Sequence, residues 1–259
     1  YSKYIYLRIF LKLHYMSARR FNLLKFSFYT MLSLVAYTTQ GQNEASTSLH
    51  DWYDSKVGKE NLDINNGKIL LNYDKVLKNN DRFYFQNYTL GSVVYDNQLY
   101  NNVLLNYDIN NDDLIIKPNG ENDKMPIILN KSKVNSFNVN GKNYINLGYN
   151  KISNDEVISG FYEEVLLNNN VNFYIKHIKD RRQIINDNLV FDDFTKITSY
   201  IILYKNQYYK ITNKKSLTTI FPDLKKNINE YYSNNSSIEK ANKVKFLEDL
   251  FKYINTIIK

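Results

Sequence analysis

Residues 136–147, Ser136-Phe-Asn-Val-Asn-Gly-Lys-Asn-Tyr-Ile-Asn-Leu147, carry the pattern that decides the fold of this chain. Apolar and polar residues alternate on both sides of Asn140-Gly141. An Asn-Gly pair between two such runs favours a two-residue turn, because both residues tolerate positive φ angles. The stretch therefore predicts a tight antiparallel β-hairpin with one buried face.

The same pattern recurs on either side of this hairpin. Further hairpins are expected from 91–95 to 99–107 through Asp96-Asn97, from 161–167 to 171–178 through 168–170, and from 200–204 to 208–211 through Lys205-Asn206. The alternation over residues 65–212 predicts one antiparallel β domain of roughly eight to twelve strands. We expect a mainly β, α+β fold in which a meander or partly closed sheet is followed by two C-terminal helices.

The helical signals lie in residues 213–259. Residues 216–220 predict a short turn, and Pro222 suits the first position of the next helix. A capping box over 236–239 is expected to open the last helix, which places apolar residues at steps of three and four. These residues are Val244, Leu247, Phe251, Ile254 and Ile258. We expect this broad apolar face to cover the sheet, and a partner-binding helix is the alternative.

The formal net charge of +8 is concentrated at the two ends of the chain. Residues 1–41 hold six basic residues and no acidic one, and residues 205–259 hold 11 Lys against five acidic residues. The body between them is faintly acidic. This distribution argues against nucleic acid as a partner, since a nucleic-acid interface needs basic residues gathered on the folded domain.

The N-terminal residues have the composition of an export signal. Residues 16–41 contain Arg19-Arg20, an apolar run over 26–37, and small residues at Thr39 and Gly41. This order predicts a signal peptide cut before Gln42, with 1–15 as translated upstream sequence and 42–64 as a lead-in segment. The apolar run has about a dozen residues, fewer than the roughly 20 that cross a bilayer. The mature form is therefore expected to be periplasmic or secreted, without a membrane span.

Few residues could support catalysis. The chain has no Cys, which excludes thiol nucleophiles and Cys-ligated zinc, and only His50 and His177 follow the leader. His50 lies in a polar-aromatic cluster expected to form a loop. His177 precedes Asp180-Arg181-Arg182, which is interpreted as a solvated turn near a strand end. We predict no cofactor, no metal and no catalytic residue.

One Asp-rich stretch and two carboxylate pairs have residue types that could form acid-base or metal sites. Asp108, Asn110 and Asp112 have the first ligand spacing of a calcium loop, but the Gly and the Glu that such a loop requires are missing. Asp192-Asp193 and the pair 163–164 are adjacent in sequence. Neighbours on a strand point to opposite faces, so neither pair is expected to form a catalytic dyad.

Two sets of residues are weak candidates for binding. Tyr204, Tyr208, Tyr209 and Lys210 could form a stacking platform for a ligand, although tyrosines on one strand face are more often core. The basic C-terminal segment could contact an envelope partner. Its candidate residues are Lys240, Lys243, Lys245 and Lys252.

Five short segments resemble a group of exported proteins from outer-membrane bacteria. They are 91–95, 107–108, 160–162, 208–211 and 215–223, and the resemblance covers roughly residues 65–258. Members of that group share β-hairpins followed by a Lys-rich helical end, and no activity is assigned to them. The resemblance implies the architecture and the export, and it implies no catalytic residue.

The sequence thus predicts an exported, non-enzymatic cell-envelope protein with a binding or support role. One alternative is a carrier that encloses a small apolar ligand in a rolled, aromatic-rich sheet. The other alternative is a hydrolase that uses carboxylates or His50. An aromatic cavity would favour the carrier, and convergence of two carboxyl groups, or of a His and a Ser, would favour the hydrolase.

Overall fold

The structure of the protein is a computed structural model that describes residues 62–77, 80–118, 125–148, 150–151, 157–168 and 170–258. The expected leader at 1–41, most of the lead-in segment and His50 lie outside these described residues. All described residues belong to one compact unit that begins at Gly58.

The described residues are mainly β, as the alternation predicts. Eleven strands form one antiparallel sheet in the order β1-β5-β4-β3-β2-β6-β7-β10-β11-β12-β13, and β8 and β9 pair separately. The strands are β1 (Lys68–Ile69), β2 (Thr89–Tyr95), β3 (Gln98–Asp108), β4 (Asp113–Lys117), β5 (Ile127–Ile128), β6 (Val134–Val139), β7 (Lys142–Asn146), β8 (Asn150–Lys151), β9 (Val157–Ile158), β10 (Phe161–Leu166), β11 (Val171–Asn186), β12 (Leu189–Tyr204) and β13 (Gln207–Ile211).

The expected hairpins form at the expected turns. Asn140 and Gly141 have φ angles of 52° and 72°, and Asp96-Asn97 and Lys205-Asn206 also have positive φ at both positions. This geometry matches the twist of the flanking strands, so the strands pair without splaying. The count of thirteen strands exceeds the expected range because four of them are only two residues long.

The turn expected at residues 180–182 is part of a strand. Residues 180–182 lie in the middle of β11, and the chain reverses instead at Asp187-Asn188, where φ is 50° and 62°. The interpretation of 180–182 as a turn was wrong because charged residues can occupy a strand when partners lie opposite. Arg182 is opposite Asp193 in the β11–β12 register.

The sheet curls so that β3 approaches β11. The backbone N–H of Lys179 in β11 donates to the carbonyl of Ile109, just after β3, over 3.0 Å. Tyr107 of β3 packs its ring 5.8 Å from that of Phe161 in β10, although three strands separate β3 from β10 in the sheet. The inner surface of this curl is the first hydrophobic core, which also contains Leu105, Phe137 and Tyr144.

The helices cover the other end of the same sheet. They are α1 (Lys214–Ile220), α2 (Lys225–Asn234), α3 (Ser236–Ala241) and α4 (Lys243–Ile257), with 3₁₀ turns at Asp63–Asn65, Lys131–Lys133 and Pro222–Leu224. Phe246, Leu247, Leu250, Phe251 and Ile254 of α4 are buried against β11, β12 and β13. The C-terminal segment therefore covers the sheet, as expected. No described helix has the length and apolar character needed to cross a membrane.

The start of the last helix differs from the expectation. The N-cap residue of α3, Asn235, makes no side-chain capping hydrogen bond, so the capping box expected over 236–239 does not form. The helix breaks at Asn242, which has an extended backbone. The side chain of Asn242 accepts a hydrogen bond from the Lys245 N–H over 3.0 Å and caps the start of α4. An unexpected capping box forms instead between Asn213 and Ser216 at the start of α1.

Candidate functional site

The four residues of the expected stacking platform do not share one face. Tyr204 and Tyr209 face the helices, and Tyr204 packs its ring 4.9 Å from that of Phe221. Tyr208 lies on the opposite face, where its ring is 6.3 Å from that of Tyr174, and alternation places exposed Lys210 on the side of Tyr208. The structure therefore distributes these side chains over two packed surfaces.

Two of the four expected contact lysines are paired with acidic groups of their own segment, and a third lies against the sheet. Lys245 forms an ion pair with Asp249 at 2.8 Å, and Lys252 donates a hydrogen bond to Glu248. Lys243 lies over the Tyr200 ring, with Nζ 5.6 Å from its centroid, while Lys240 is exposed. Pairs of this kind one helical turn apart stabilise the helix surface itself.

The Asp-rich turn between β3 and β4 does not gather its oxygens around a cation. Asp108 accepts the N–H groups of Asn110 and Asn111, each over 3.0 Å, and lies 3.1 Å from Nε of Arg82. The Asn110 side chain donates to the Lys179 carbonyl at 2.8 Å. Among the described residues no group of three His, Asp or Glu side chains could hold a metal ion.

A buried acid-base pair lies where the first hydrophobic core meets the second core, which is the one under the helices. Glu163 of β10 and His177 of β11 are 7% and 6% exposed, and Glu163 Oε2 lies 2.6 Å from His177 Nε2. The other carboxylate oxygen of Glu163 forms an ion pair with Lys142 Nζ at 2.8 Å. The Tyr84 ring lies over the imidazole, with 4.6 Å between the ring centroids.

Two neighbouring side chains keep the Glu163 carboxylate ionised. Burial acts to raise the pKa of Glu163, but hydrogen bonds from His177 and Lys142 outweigh it, so this pKa lies below its usual value. Burial acts to lower the pKa of Lys142, yet the hydrogen bond to Glu163 leaves it raised. Nδ1 of His177 is buried and has no hydrogen-bond partner among the described residues. The carboxylate is thus held ionised as the centre of the cluster.

A second polar cluster closes the curl of the sheet. Asp112, in the turn between β3 and β4, accepts the Tyr107 hydroxyl at 2.5 Å and forms an ion pair with Lys176 of β11 at 2.6 Å. Lys131 Nζ lies 3.4 Å from the other carboxylate oxygen. The cluster joins strands that are distant in the sheet, so it fixes the degree of curling.

The far end of the β11–β12 hairpin is apolar and exposed. β11 leaves β10 after Ile175 and β12 pairs with β13 only from Tyr200 onward, but β11 and β12 continue to pair with each other as far as Asn186 and Leu189. We name the end of this ribbon the arm tip, which consists of Ile184, Ile185, Leu189, Val190 and Phe191. Ile185 is 78% exposed, Val190 51% and Leu189 50%.

The charges behind the arm tip are paired with each other. Arg181 Nε lies 2.9 Å from Asp192, and Arg182 lies 2.7 Å from Asp193. These carboxylates were expected to point to opposite faces, and they pair with two different arginines. Within the arm tip the only intervening acidic residue is Asp187, in the turn. The arginines are therefore neutralised by neighbouring carboxylates, and Lys75 lies over the ring of Phe191, with Nζ 4.9 Å from its centroid.

The interior of the curl is filled with side chains. The rings of Phe137 and Tyr144 stack at 4.6 Å, and Phe161 packs edge-on to Phe137 at 5.3 Å. An open depression of about 730 Å³ lies instead beside β1 and β5, and its lining mixes polar residues such as Lys68, Asp113 and Lys131 with Ile128 and Leu129. The interior of the curl is aromatic but filled, and the depression has no aromatic residue among the described residues of its lining, so neither is the aromatic cavity expected of a carrier for an apolar ligand.

The sequence reasoning missed both buried clusters and the arm tip. One signal was available, because Glu163 shares its strand face with Phe161, and His177 shares its face with Phe173 and Ile175. A charged residue on an apolar face needs a buried partner. Comparisons with protein-family models, with curated proteins and with solved structures found no match. The fold thus defines a curled antiparallel sheet protein with helical cover.

Proposed function

We propose that this chain is an exported, non-enzymatic protein that binds a partner protein at the cell envelope through the arm tip. The observation that carries the proposal is the exposure of Ile185, Leu189 and Val190 at the end of a hairpin. Large exposed apolar residues that cluster together mark interaction surfaces. Export is supported by the composition of residues 16–41, with their basic start and short apolar run.

The charge pattern of the arm favours a protein partner over a lipid surface. Peripheral binding to an anionic membrane needs unpaired basic residues beside the apolar ones. Here Arg181 and Arg182 are paired with Asp192 and Asp193, and the turn carries Asp187. A partner with an apolar cleft fits this tip better.

Substitutions in the arm tip test partner binding without unfolding the protein, whereas removal of the basic C-terminal segment does not. Five side chains of α4 are buried in the second core, so removal of residues 236–259 would expose that core. Ile185, Leu189 and Val190 of the tip are exposed, and their replacement leaves the cores unchanged.

The experiment is a pull-down from gently solubilised cell envelope with the native protein and two double variants. Ile185→Thr with Val190→Thr changes the arm tip, and Leu90→Thr with Leu99→Thr changes two other exposed apolar residues, on β2 and β3. A partner that co-purifies with the native chain and the control, is lost with the tip variant, and binds the purified native chain directly supports the proposal. Equal retention by the tip variant contradicts it.

A further inference from the structure

Lys176 and Asp112 bring an amine and a carboxylate into direct contact beside Gly160. Nζ of Lys176 lies 2.6 Å from Oδ1 of Asp112, and their side chains are only 11% and 20% exposed. The same amine donates to the Ser159 carbonyl at 3.2 Å, which holds it in place. The two residues come from distant parts of the sequence and meet only in the folded chain.

Gly160 leaves both reactive groups uncovered. A Cβ atom at residue 160 would lie 2.8 Å from Cγ of Asp112 and 2.9 Å from Nζ of Lys176. The carboxyl carbon and the amine are therefore both close to the position of that Cβ atom, so they lie side by side over the glycine. Holding reactants in such proximity can replace a large part of the entropic barrier to their reaction.

The surroundings of Asp112 suit attack on its carboxyl carbon. The Tyr107 hydroxyl donates to Oδ1 at 2.5 Å and the N–H of Phe161 lies 3.4 Å from the same oxygen. Donors that converge on one carboxyl oxygen stabilise the negative charge that develops there during attack. Lys131 Nζ lies 3.4 Å from Oδ2, the oxygen that would leave.

We propose that Lys176 and Asp112 condense to an intramolecular amide bond that locks the curl of the sheet. The Nζ–Cγ bond forms and the Cγ–Oδ2 bond breaks. Two protons of the Lys176 ammonium end on Oδ2, which leaves as water, and no proton is gained or lost overall. The step needs no oxidant, reductant or cofactor.

The exchange of an ion pair for an amide is favoured by burial. A buried ion pair keeps a desolvation penalty for each charge, while an amide is neutral and hydrogen-bonds with less cost. Burial also lowers the pKa of Lys176 despite the nearby Asp112 carboxylate, which raises the share of neutral, nucleophilic amine. The chain has no Cys, so a lysine cross-link is a covalent brace open to a protein without disulfides.

A second lysine–carboxylate pair in the chain can be compared with Lys176 and Asp112. Lys142 and Glu163 also form an ion pair, at 2.8 Å, but the Lys142 side chain is 46% exposed. A hydrated ammonium remains charged, and the hydrogen bonds to Glu163 hold this carboxylate ionised. The proposed reaction is therefore specific to Lys176 and Asp112, and Lys142 and Glu163 stay unlinked.

The test is intact-mass measurement of the full chain, followed by protease digestion and peptide mapping. The expected result is a loss of the mass of one water, located in a branched peptide that joins residues around Asp112 and Lys176. Lys142 and Glu163 are expected in ordinary linear peptides. Lys176→Arg, which keeps the positive charge, is expected to have its full sequence mass and a lower thermal midpoint.

Since the native chain is measured directly, the result does not depend on whether a variant folds. A native chain in which the peptides of Asp112 and Lys176 are both linear overturns the proposal. A mass loss located at another position, such as the processed N-terminus, also overturns it.

Discussion

The carboxylate of Asp112 occupies the space beside Gly160 that a side chain would fill. A Cβ atom at residue 160 would overlap Oδ2 of Asp112 and lie 2.8 Å from its Cγ. Gly160 also has a φ of 81°, which L residues with a side chain rarely adopt. The turn between β3 and β4 can therefore dock on β10 only because residue 160 is glycine.

Gly160→Ala is expected to destabilise the fold by about 3 kcal/mol or more, because backbone strain and overpacking add together. The measurement is the free energy of unfolding from chemical denaturation. The matched control is Gly148→Ala, since Gly148 has a φ of 61° and nothing within 4 Å of an added Cβ. This control should lose about 1 kcal/mol from strain alone. Equal losses in the two variants would show that Asp112 does not need the space.

The contacts of Glu163 predict how stability depends on pH. Its folded pKa lies below the ordinary 4.5, so Glu163 contributes stability at pH values above 4.5. This contribution is lost as the pH falls from 4.5 through the folded pKa, because in that range the unfolded chain binds a proton that Glu163 in the folded chain does not. Glu163→Gln removes this component and should show a shallower loss of stability below pH 4.5 than the native chain.

The same variant should also lose about 2 kcal/mol at neutral pH, because His177 and Lys142 lose a charged acceptor. The measurement is the urea midpoint between pH 7 and pH 3. Glu164→Gln is the control, since it removes the same charge from the opposite face of β10, and the difference between the two profiles isolates the contacts to His177 and Lys142. Parallel profiles for Glu163→Gln and the native chain would contradict the prediction.

The features that the sequence predicts well are local ones. Asn140-Gly141 specifies its turn through the φ angles of two adjacent residues, and the apolar face of α4 follows from helical spacing. The pairing of Asp112 with Lys176 depends on the curl of the sheet, which brings β3 to β11 across several strands. No pattern within a short window contains that information, so the buried clusters were visible only as polar residues on apolar strand faces.

The arm tip shows the same limit for an exposed feature. Ile185 and Val190 are opposite each other in the β11–β12 register, and no local pattern predicts that both are exposed. Burial at the end of the hairpin depends on how far the neighbouring strands extend. β10 pairs with β11 only as far as Ile175, and β13 pairs with β12 only from Tyr200 onward. The exposed tip therefore follows from strand lengths, which are set by tertiary pairing.

One side chain of α4 substitutes for a missing strand partner at the start of β11. Asn255 accepts the N–H of Val171 at 3.0 Å and donates to its carbonyl at 3.1 Å, while Val171 itself is fully buried. Asn255→Leu leaves both backbone groups without this partner, and we expect a loss of about 3 kcal/mol in unfolding free energy. Thr256→Ala, one residue along on the exposed side, should change stability by less than about 0.5 kcal/mol.

Hydrogen exchange gives the second measurement, since the Val171 amide should exchange faster in Asn255→Leu while the Phe173 amide changes less. Unchanged protection of Val171 would show that α4 is held on the sheet by its apolar face alone, because the other hydrogen bond removed by the variant, from Asn255 to the Phe251 carbonyl, lies within α4 and does not reach the strand.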